Sequence, residues 1–346
     1  VTDLESAETF LRDGDQDQEI HKRLVRALRK IDELKDHRRM MRDALVEAVA
    51  ENVSALSLPP PVILPALHSG PHSPEECIVG LADWQLGKRT PDYSTERCAQ
   101  RIERLSQKVE RLTEIQRYDH AIDTCNVWLL GDLVEGELIF PGQAHRIDSS
   151  LFRQALLHGP EILGTFLRRM LLLFQYIKVE MVIGNHGALG GLSRREYHPE
   201  SNADAFLYDA TRRVLANEPR ISWGPSVLDD ERLWHRIVDV GDRRWFLFHG
   251  DQVKGYGRYP WYGFDTKIKG WFMDPQIGQF DYAMCGHFHS DCSFPVGSST
   301  VWCSGSTESR NTWAQEYLAA NRGAMQWVLY QHPTIGVTAE HRVWLE

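Results

Sequence analysis

Residues 79–88 read VGLADWQLGK, where an apolar run, Ile78, Val79 and Leu81, meets a carboxylate, Asp83, and two residues later an amide, Gln85. Such a run reads as a buried strand, and the end of a core strand is where an α/β fold builds its site. The pattern recurs. Residues 126–132 end WLLGD with Asp132, 179–184 lead into GNHG with Asn185 and His186, 245–249 end FLFH with His249, and 281–285 lead into GHFH with His287 and His289. Gly131 allows a sharp exit from its strand, and Gly184 and Gly286 precede the polar residues of theirs.

Between these runs the period changes to that of a helix. The clearest case is 94–117, with Ile102, Leu105, Val109, Leu112 and Ile115 on one face, and 151–174 and 202–215 follow the same rule. After residue 285 the runs 300–302, 326–330 and 341–345 look like strands with no long helix between them. The alternation predicts an α/β sheet continuing into a β-rich portion.

Upstream the chain has a different character. From Gln18 to Ala55, apolar residues such as Leu24, Leu28, Ile31, Met41 and Leu45 recur at helical spacing beneath a face rich in Lys22, Arg23, Arg26, Arg29 and Arg38. That face fits a solvated helix, a pairing of copies into a homo-oligomer, or an arm for nucleic acid or a partner protein. Residues 58–74, LPPPVILPALHSGPHSP, carry six prolines and read as a linker. The expected division is a helical arm over 1–57, a linker over 58–75 and a catalytic domain over 76–346.

Composition sets outer bounds. A chain of 346 residues, 42% hydrophobic and 25% charged, suits one large globular domain with an appendage. A net charge of −9 argues against coating nucleic acid by charge alone, although a local basic groove fits on an acidic body. No apolar run reaches membrane length and the acidic first residues do not resemble a secretory signal, so a cytoplasmic protein with no membrane contact is expected. The six cysteines form no C-x-x-C pair and read as buried thiols.

A lone G-D or G-N-H arises often by chance, and a single histidine in an apolar stretch is more often a satisfied core residue than a ligand. Five such strand ends in one chain shift that balance. Carboxylate, amide and imidazole donors together suit a pair of divalent first-row metals, which a carboxylate bridges at about 3.5–4 Å. Asp132 is the natural bridge, and His287 and His289, two residues apart, point to the same side so that one reaches each metal.

The series D-x-[H/Q], G-D-x-x, G-N-H, H-G and G-H-x-H over residues 83–289 resembles the calcineurin-like metallophosphoesterases. More narrowly, GDLVEGELIFPGQ with GNHG resembles phage-encoded members near the DNA double-strand-break repair nucleases. The resemblance implies a four-layer α-β-β-α sandwich of two mixed sheets, here with an N-terminal helical appendage. It implies that Asp83, Gln85, Asp132 and His289 hold one metal ion and that Asp132, Asn185, His249 and His287 hold the second. His186 would stand beside them as the catalytic residue, with mere orientation of Asn185 as the plainer account. The implied reaction is phosphodiester hydrolysis by a metal-bridging hydroxide. A DNA or other nucleic-acid nuclease of replication, repair or recombination comes first, in the host cytoplasm if phage-encoded. A phosphodiesterase or phosphatase for cyclic nucleotides, nucleotides or phosphomonoesters is the alternative. A non-catalytic scaffold fits poorly with a ligand set complete but for one amide.

That amide predicts asymmetry. An amide oxygen is usually a weaker ligand than imidazole, so the Asp83 side should hold its metal less tightly, with Mn²⁺ the expected ion and Mg²⁺, Fe²⁺ or Zn²⁺ as alternatives. If Gln85 instead points away, water takes its place. For substrate, Arg194, Arg195 and His198 follow GNHG and are placed to meet phosphates. Lys254, Arg258, Lys267 and Lys269 are interleaved with Tyr256, Tyr259, Trp261 and Tyr262, which fits either a single-strand nucleic-acid groove or a surface loop packed on the sheet. The chain has no G-x-x-x-x-G-K-[ST] phosphate loop, so any ATPase motor would be another protein.

Overall fold

In a computed structural model that describes residues 22–31, 33, 40, 72–189, 198, 201–227, 229, 233–254, 260–309 and 323–346, the opening run becomes strand β1 (Glu76–Leu81). Cys77, Val79 and Leu81 on one face and Ile78 and Ala82 on the other are fully buried. Such a strand needs a ladder on each edge. β2 (Thr124–Leu129) runs parallel to it on one side and β10 (Met325–His332) antiparallel on the other. β3 (Tyr176–Met181) and β4 (Ile221–Trp223) extend the parallel side and β11 (Gly336–Trp344) the antiparallel side, giving the order β11-β10-β1-β2-β3-β4.

A second sheet is built from β5 (His235–Val240), β6 (Arg243–Phe248), β7 (Tyr282–Cys285), β8 (Cys292–Val296) and β9 (Ser299–Cys303). Its order is β5-β6-β7-β9-β8, with β6, β7 and β9 parallel and an antiparallel strand at each edge. Side chains alternate across β6: Trp245 and Leu247 join the layer between the sheets, and Phe246 and Phe248 join the layer outside. The inner layer is rich in tryptophan. Trp128 and Trp302 pack on Trp245 with ring centroids 4.8 and 5.2 Å apart, in the tilted arrangements aromatic rings prefer.

Helices close both outer faces. Over the first sheet lies Thr95–Gln116, started by Ser94, whose hydroxyl accepts from Arg97 N. Ile102, Leu105 and Val109 are buried as the period requires, but Ile115 is exposed and Thr113 takes the inward place, 2.9 Å from the Tyr330 hydroxyl. Residue 113 is four past Val109 and 115 is six, which turns it off the face. The expected helix over 151–174 is interrupted: a single turn, Leu151–Arg153, passes through a π turn, Gln154–His158, into Gly159–Leu173. Ala203–Val214 completes this layer. On the far side, Trp261–Phe272 forms a helix that buries Phe264 and Ile268 against Phe248, Ala283 and Cys303.

The last helix corrects the loop expectation for residues 261–272, while 255–259 of the basic, aromatic stretch lie outside the described residues. Its lysines are engaged on their own helix, Lys269 with Asp265 at 2.6 Å and Lys267 over the Trp271 ring at 5.7 Å. Gly263 and Gly270 weaken the helical signal in sequence, and burial of the apolar stripe outweighs them. Two mixed sheets face to face with helices outside make the four-layer α-β-β-α sandwich that the resemblance implies.

The chain divides into two compact units, Val1–Asn52 and Val53–Glu346. In the first, residues 22–31, 33 and 40 are helical, and the rest of the expected arm, like linker residues 58–71, lies outside the described residues.

Candidate metal centre

The polar residues begin where the ladders stop. Asp83 and Gln85 follow β1, Asp132 follows β2, Asn185 and His186 follow β3, His249 follows β6, and His287 and His289 follow β7. Within each sheet these strands are parallel, so their carboxyl ends share an edge.

Side chains from the two sheets meet there. His249 Nε2 lies 3.0 Å from Asp132 Oδ2 and 3.3 Å from Asn185 Oδ1. His287 joins them, since ligand atoms of Asp132, His249 and His287 all fall within 4.8 Å of one another. His289 turns to the other group, with Nε2 3.3 Å from Asp83 Oδ1 and 3.4 Å from Gln85 Nε2. The backbone ties the groups together: Asp83 Oδ2 accepts from His287 N at 2.8 Å, and Gln85 N donates to Asp132 O at 3.1 Å.

The main chain is unusual at these positions. Asp83, Gln85, Asp132, His287 and His289 all have φ between 49° and 72°, and Leu233 is the one other described non-glycine residue in that region. The left-handed conformation costs such residues on the order of 1–3 kcal/mol each and persists only where the surroundings enforce it. Close packing does so here. A Cβ on Gly184 would lie 2.1 Å from Asp132 Oδ1, and one on Gly286 would lie 2.3 Å from Asp83 Oδ2.

Two buried oxygens, Asp83 Oδ1 and Gln85 Oε1, have no hydrogen-bond donor among the described residues. An acceptor left in that state costs about 1–3 kcal/mol, and a divalent cation satisfies it. Gln85 is fully buried, and its Nε2 lies beside His289 Nε2 at 3.4 Å. Carboxylates, amide oxygens and imidazoles on both sides of Asp132 form a donor set that fits first-row divalent metals. His198 and Lys254 are exposed, and Arg194, Arg195 and Arg258 lie outside the described residues.

Three carboxylates that the strand-end pattern does not reveal support the centre. Asp204, at the start of its helix, accepts from the backbone N of Asp132 at 2.8 Å and Gly184 at 2.9 Å through Oδ2, and from Leu133 and Val134 at 3.0 and 3.2 Å through Oδ1. One anion thus fixes the exits of two strands. An amide offers a single oxygen to those donors, so Asp204→Asn is expected to lower stability by on the order of 3 kcal/mol in urea titration; an unchanged midpoint would refute this account. Glu135 is fully buried, with Oε2 3.4 Å and backbone O 2.9 Å from His186 Nδ1. Glu308 lies behind His289. The buried Gln154 of the π turn braces the same region, accepting from Gly136 N at 2.9 Å.

Burial disfavours charge on His249, but the Asp132 carboxylate, with Asp83 and Asp251, outweighs it and raises the imidazole to about 10. Burial likewise opposes charge on His186, and Asp132 with Glu135 lifts it to about 9. Burial and the neighbouring His249 cation push His287 down to about 3. At neutral pH the metal-free centre therefore holds a proton on His249 that a cation must displace. Metal uptake should release protons and strengthen as pH rises from 6 toward 9, which calorimetry in buffers of different ionisation enthalpy reads directly.

Neither a protein-family model nor a curated protein matches the sequence. Solved structures overlap it coarsely. A novel archaeal phosphodiesterase is 11% identical with a TM-score of 0.35, over 77% of this chain and 99% of its own. Vps29 from Entamoeba histolytica complexed with zinc is 13% identical with a TM-score of 0.34, over 78% and 99%. A predicted phosphoesterase from Streptococcus pneumoniae is 11% identical with a TM-score of 0.32, over 78% and 98%. At such scores the overlap adds nothing to what the sheets and the side chains say by themselves.

Proposed function

We propose that this chain is a metal-dependent phosphoesterase that hydrolyses phosphodiesters, and that its substrate is a nucleic acid. The observation that carries the first part is the convergence of Asp83, Gln85, Asp132, Asn185, His249, His287 and His289 from five strand ends, with two buried oxygens lacking donors. Asp83, Gln85, Asp132 and His289 would hold one cation and Asp132, Asn185, His249 and His287 a second. Such a pair supplies Lewis acidity toward phosphoryl oxygens and makes water more acidic near neutral pH.

The chain's own groups do the rest. The Glu135 carboxylate and backbone oxygen fix the proton of His186 on Nδ1, and the raised affinity of that ring keeps a second proton on Nε2. His186 N also donates to Asp132 Oδ1 at 2.7 Å, which sets the ring beside the shared carboxylate. A cationic imidazole there stabilises charge building on the phosphoryl group and donates its proton to the leaving oxygen.

For a polyanionic substrate the support is local charge. Arg89, one residue past Lys88, donates its backbone N to Arg146 O at 2.8 Å, and both side chains are exposed. They place two cations beside the Gln85 loop of a protein of net charge −9, with the exposed Asp148 also bonded to that loop. The test is one preparation with Mn²⁺ assayed on single-stranded DNA, duplex DNA with varied ends, bis-p-nitrophenyl phosphate and cyclic nucleotides. Cleavage of DNA and of the chromogenic diester is expected. Diester turnover without DNA cleavage would sink the nuclease reading, and no turnover of any ester would sink the enzyme.

A further inference from the structure

Glu308 stands past β9, only 5% exposed, and its Oε2 lies 3.8 Å from His289 Nδ1 and 2.8 Å from Lys88 Nζ. The other ring nitrogen, His289 Nε2, faces Asp83 Oδ1 and Gln85 Nε2 at 3.3 and 3.4 Å. One nitrogen therefore looks toward Asp83 Oδ1, an oxygen that lacks a donor, and the other toward an anion. A carboxylate on the Nδ1 side favours the tautomer protonated there, which leaves the Nε2 lone pair turned to the centre. At 3.8 Å the contact is longer than a hydrogen bond, so the carboxylate acts on the neutral ring through its charge.

The carboxylate is held in place by the loop it serves. Ser306 Oγ donates to Asp83 O at 2.6 Å and Thr307 Oγ1 to Trp84 O at 2.9 Å, while Arg101 Nη2 donates to Ser309 Oγ at 2.7 Å. Glu308 and Asp83 thus approach His289 from two segments that are bonded to each other. Lys88 lies on the Asp83 segment, three residues past Gln85, and its ammonium draws off part of the Glu308 charge.

We propose that Glu308 is a positioning residue for His289 and that Lys88 moderates it, so that this pair adjusts how tightly the Asp83 side of the centre holds its cation. The inference rests on the metal-centre reading above. It answers a need of this chain: Gln85 offers a neutral amide to that side, and Glu308 sets the tautomer of the remaining imidazole.

The two charges act in opposite directions, which a merely structural pair would not do. Mn²⁺ is titrated by calorimetry into the full chain stripped of metal, and metal-free melting temperatures are taken alongside. Wild type should bind two ions, one more weakly. Glu308→Gln should weaken that ion by about 10–100-fold and leave the tighter one unchanged, as outer carboxylates on metal-bound histidines do. Lys88→Met should tighten the same ion several-fold. If Glu308→Gln fails to fold, tightening in Lys88→Met supports the proposal and its absence overturns it. Weakening in both variants, with matched losses of melting temperature, would show a structural salt bridge and overturn it. Two ions bound unchanged in both variants would overturn this proposal alone. A wild-type chain that binds no Mn²⁺ would overturn it together with the metal-centre reading.

Discussion

Asp132→Asn is expected to reduce phosphodiester hydrolysis by at least about 10²–10³-fold, the loss typical when an electrostatic clamp on developing charge is removed. The exchange keeps size and shape while deleting the one negative charge that both groups of side chains share. Asp132 Oδ2 meets His249 and Oδ1 accepts from His186 N, so the amide must set its NH₂ against one of them. Burial raises the cost of charge on Asp132, yet the flanking His249 and His186 hold its pKa well below the ordinary carboxylate range, which shows how strongly the surroundings demand an anion there. The readouts are turnover of bis-p-nitrophenyl phosphate and metal content per chain, with near-ultraviolet circular dichroism as the control for folding. Content should fall from two ions to one or none. Turnover near that of wild type would show that Asp132 is not the shared ligand.

His186→Asn should separate chemistry from metal binding. The variant is expected to keep its metal content and lose about 10²–10⁴-fold in kcat, the range for removal of a positioned general acid. The loss should be larger for an alkyl or nucleoside leaving group than for p-nitrophenolate, which departs without a proton. Glu135→Gln should reproduce a smaller part of the same pattern, because it removes the anion that faces Nδ1 without removing the ring. Equal losses on both esters would make His186 an electrostatic group only. No loss on either would leave it as a residue that holds Asn185.

The parts of the centre that sequence reveals are those governed by short-range rules. A glycine, then an aspartate or histidine, at the end of an apolar run is legible because strand exit and side-chain alternation are local properties. The supporting carboxylates are not legible in that way. Asp204 reads as an acid in the first turn of a helix, a common stabilising placement, and its bonds to Asp132 and Gly184 appear only once three distant segments are packed. Glu308 sits in a polar stretch, SGSTES, that has no period and reads as loop. Glu135 lies three past Asp132 in GDLVEG, close enough in sequence for the motif itself to point to it.

The same division holds for the fold. β1 and β2 are largely apolar and buried, as parallel strands covered on both faces are, whereas β3 alternates, with Lys178 and Glu180 half-buried between Ile177, Val179 and Met181. Their expected ends at Asp83, Asp132 and Gly184 overshoot the ladders, because the chain leaves the pairing before the polar residues. β4 is three residues long, and β5 and β8 are partly exposed edge strands, so none of them presents a strong apolar period. The Trp261–Phe272 helix owes its stability to Phe264 and Ile268 under the second sheet, which local propensity does not record.

The place of β10 has a consequence for the order of events in synthesis. β1, the strand that carries Asp83 and Gln85, finds its second ladder only in Met325–His332, and its exit loop is held by Ser306 and Thr307. A nascent chain that has emerged as far as His289 contains all seven metal-binding candidates, but lacks the segments that hold them in register. Contacts so distant in sequence close late, after the locally paired hairpins and helices. The centre is therefore expected to form among the last steps of folding, once residues 306–332 have joined the first sheet.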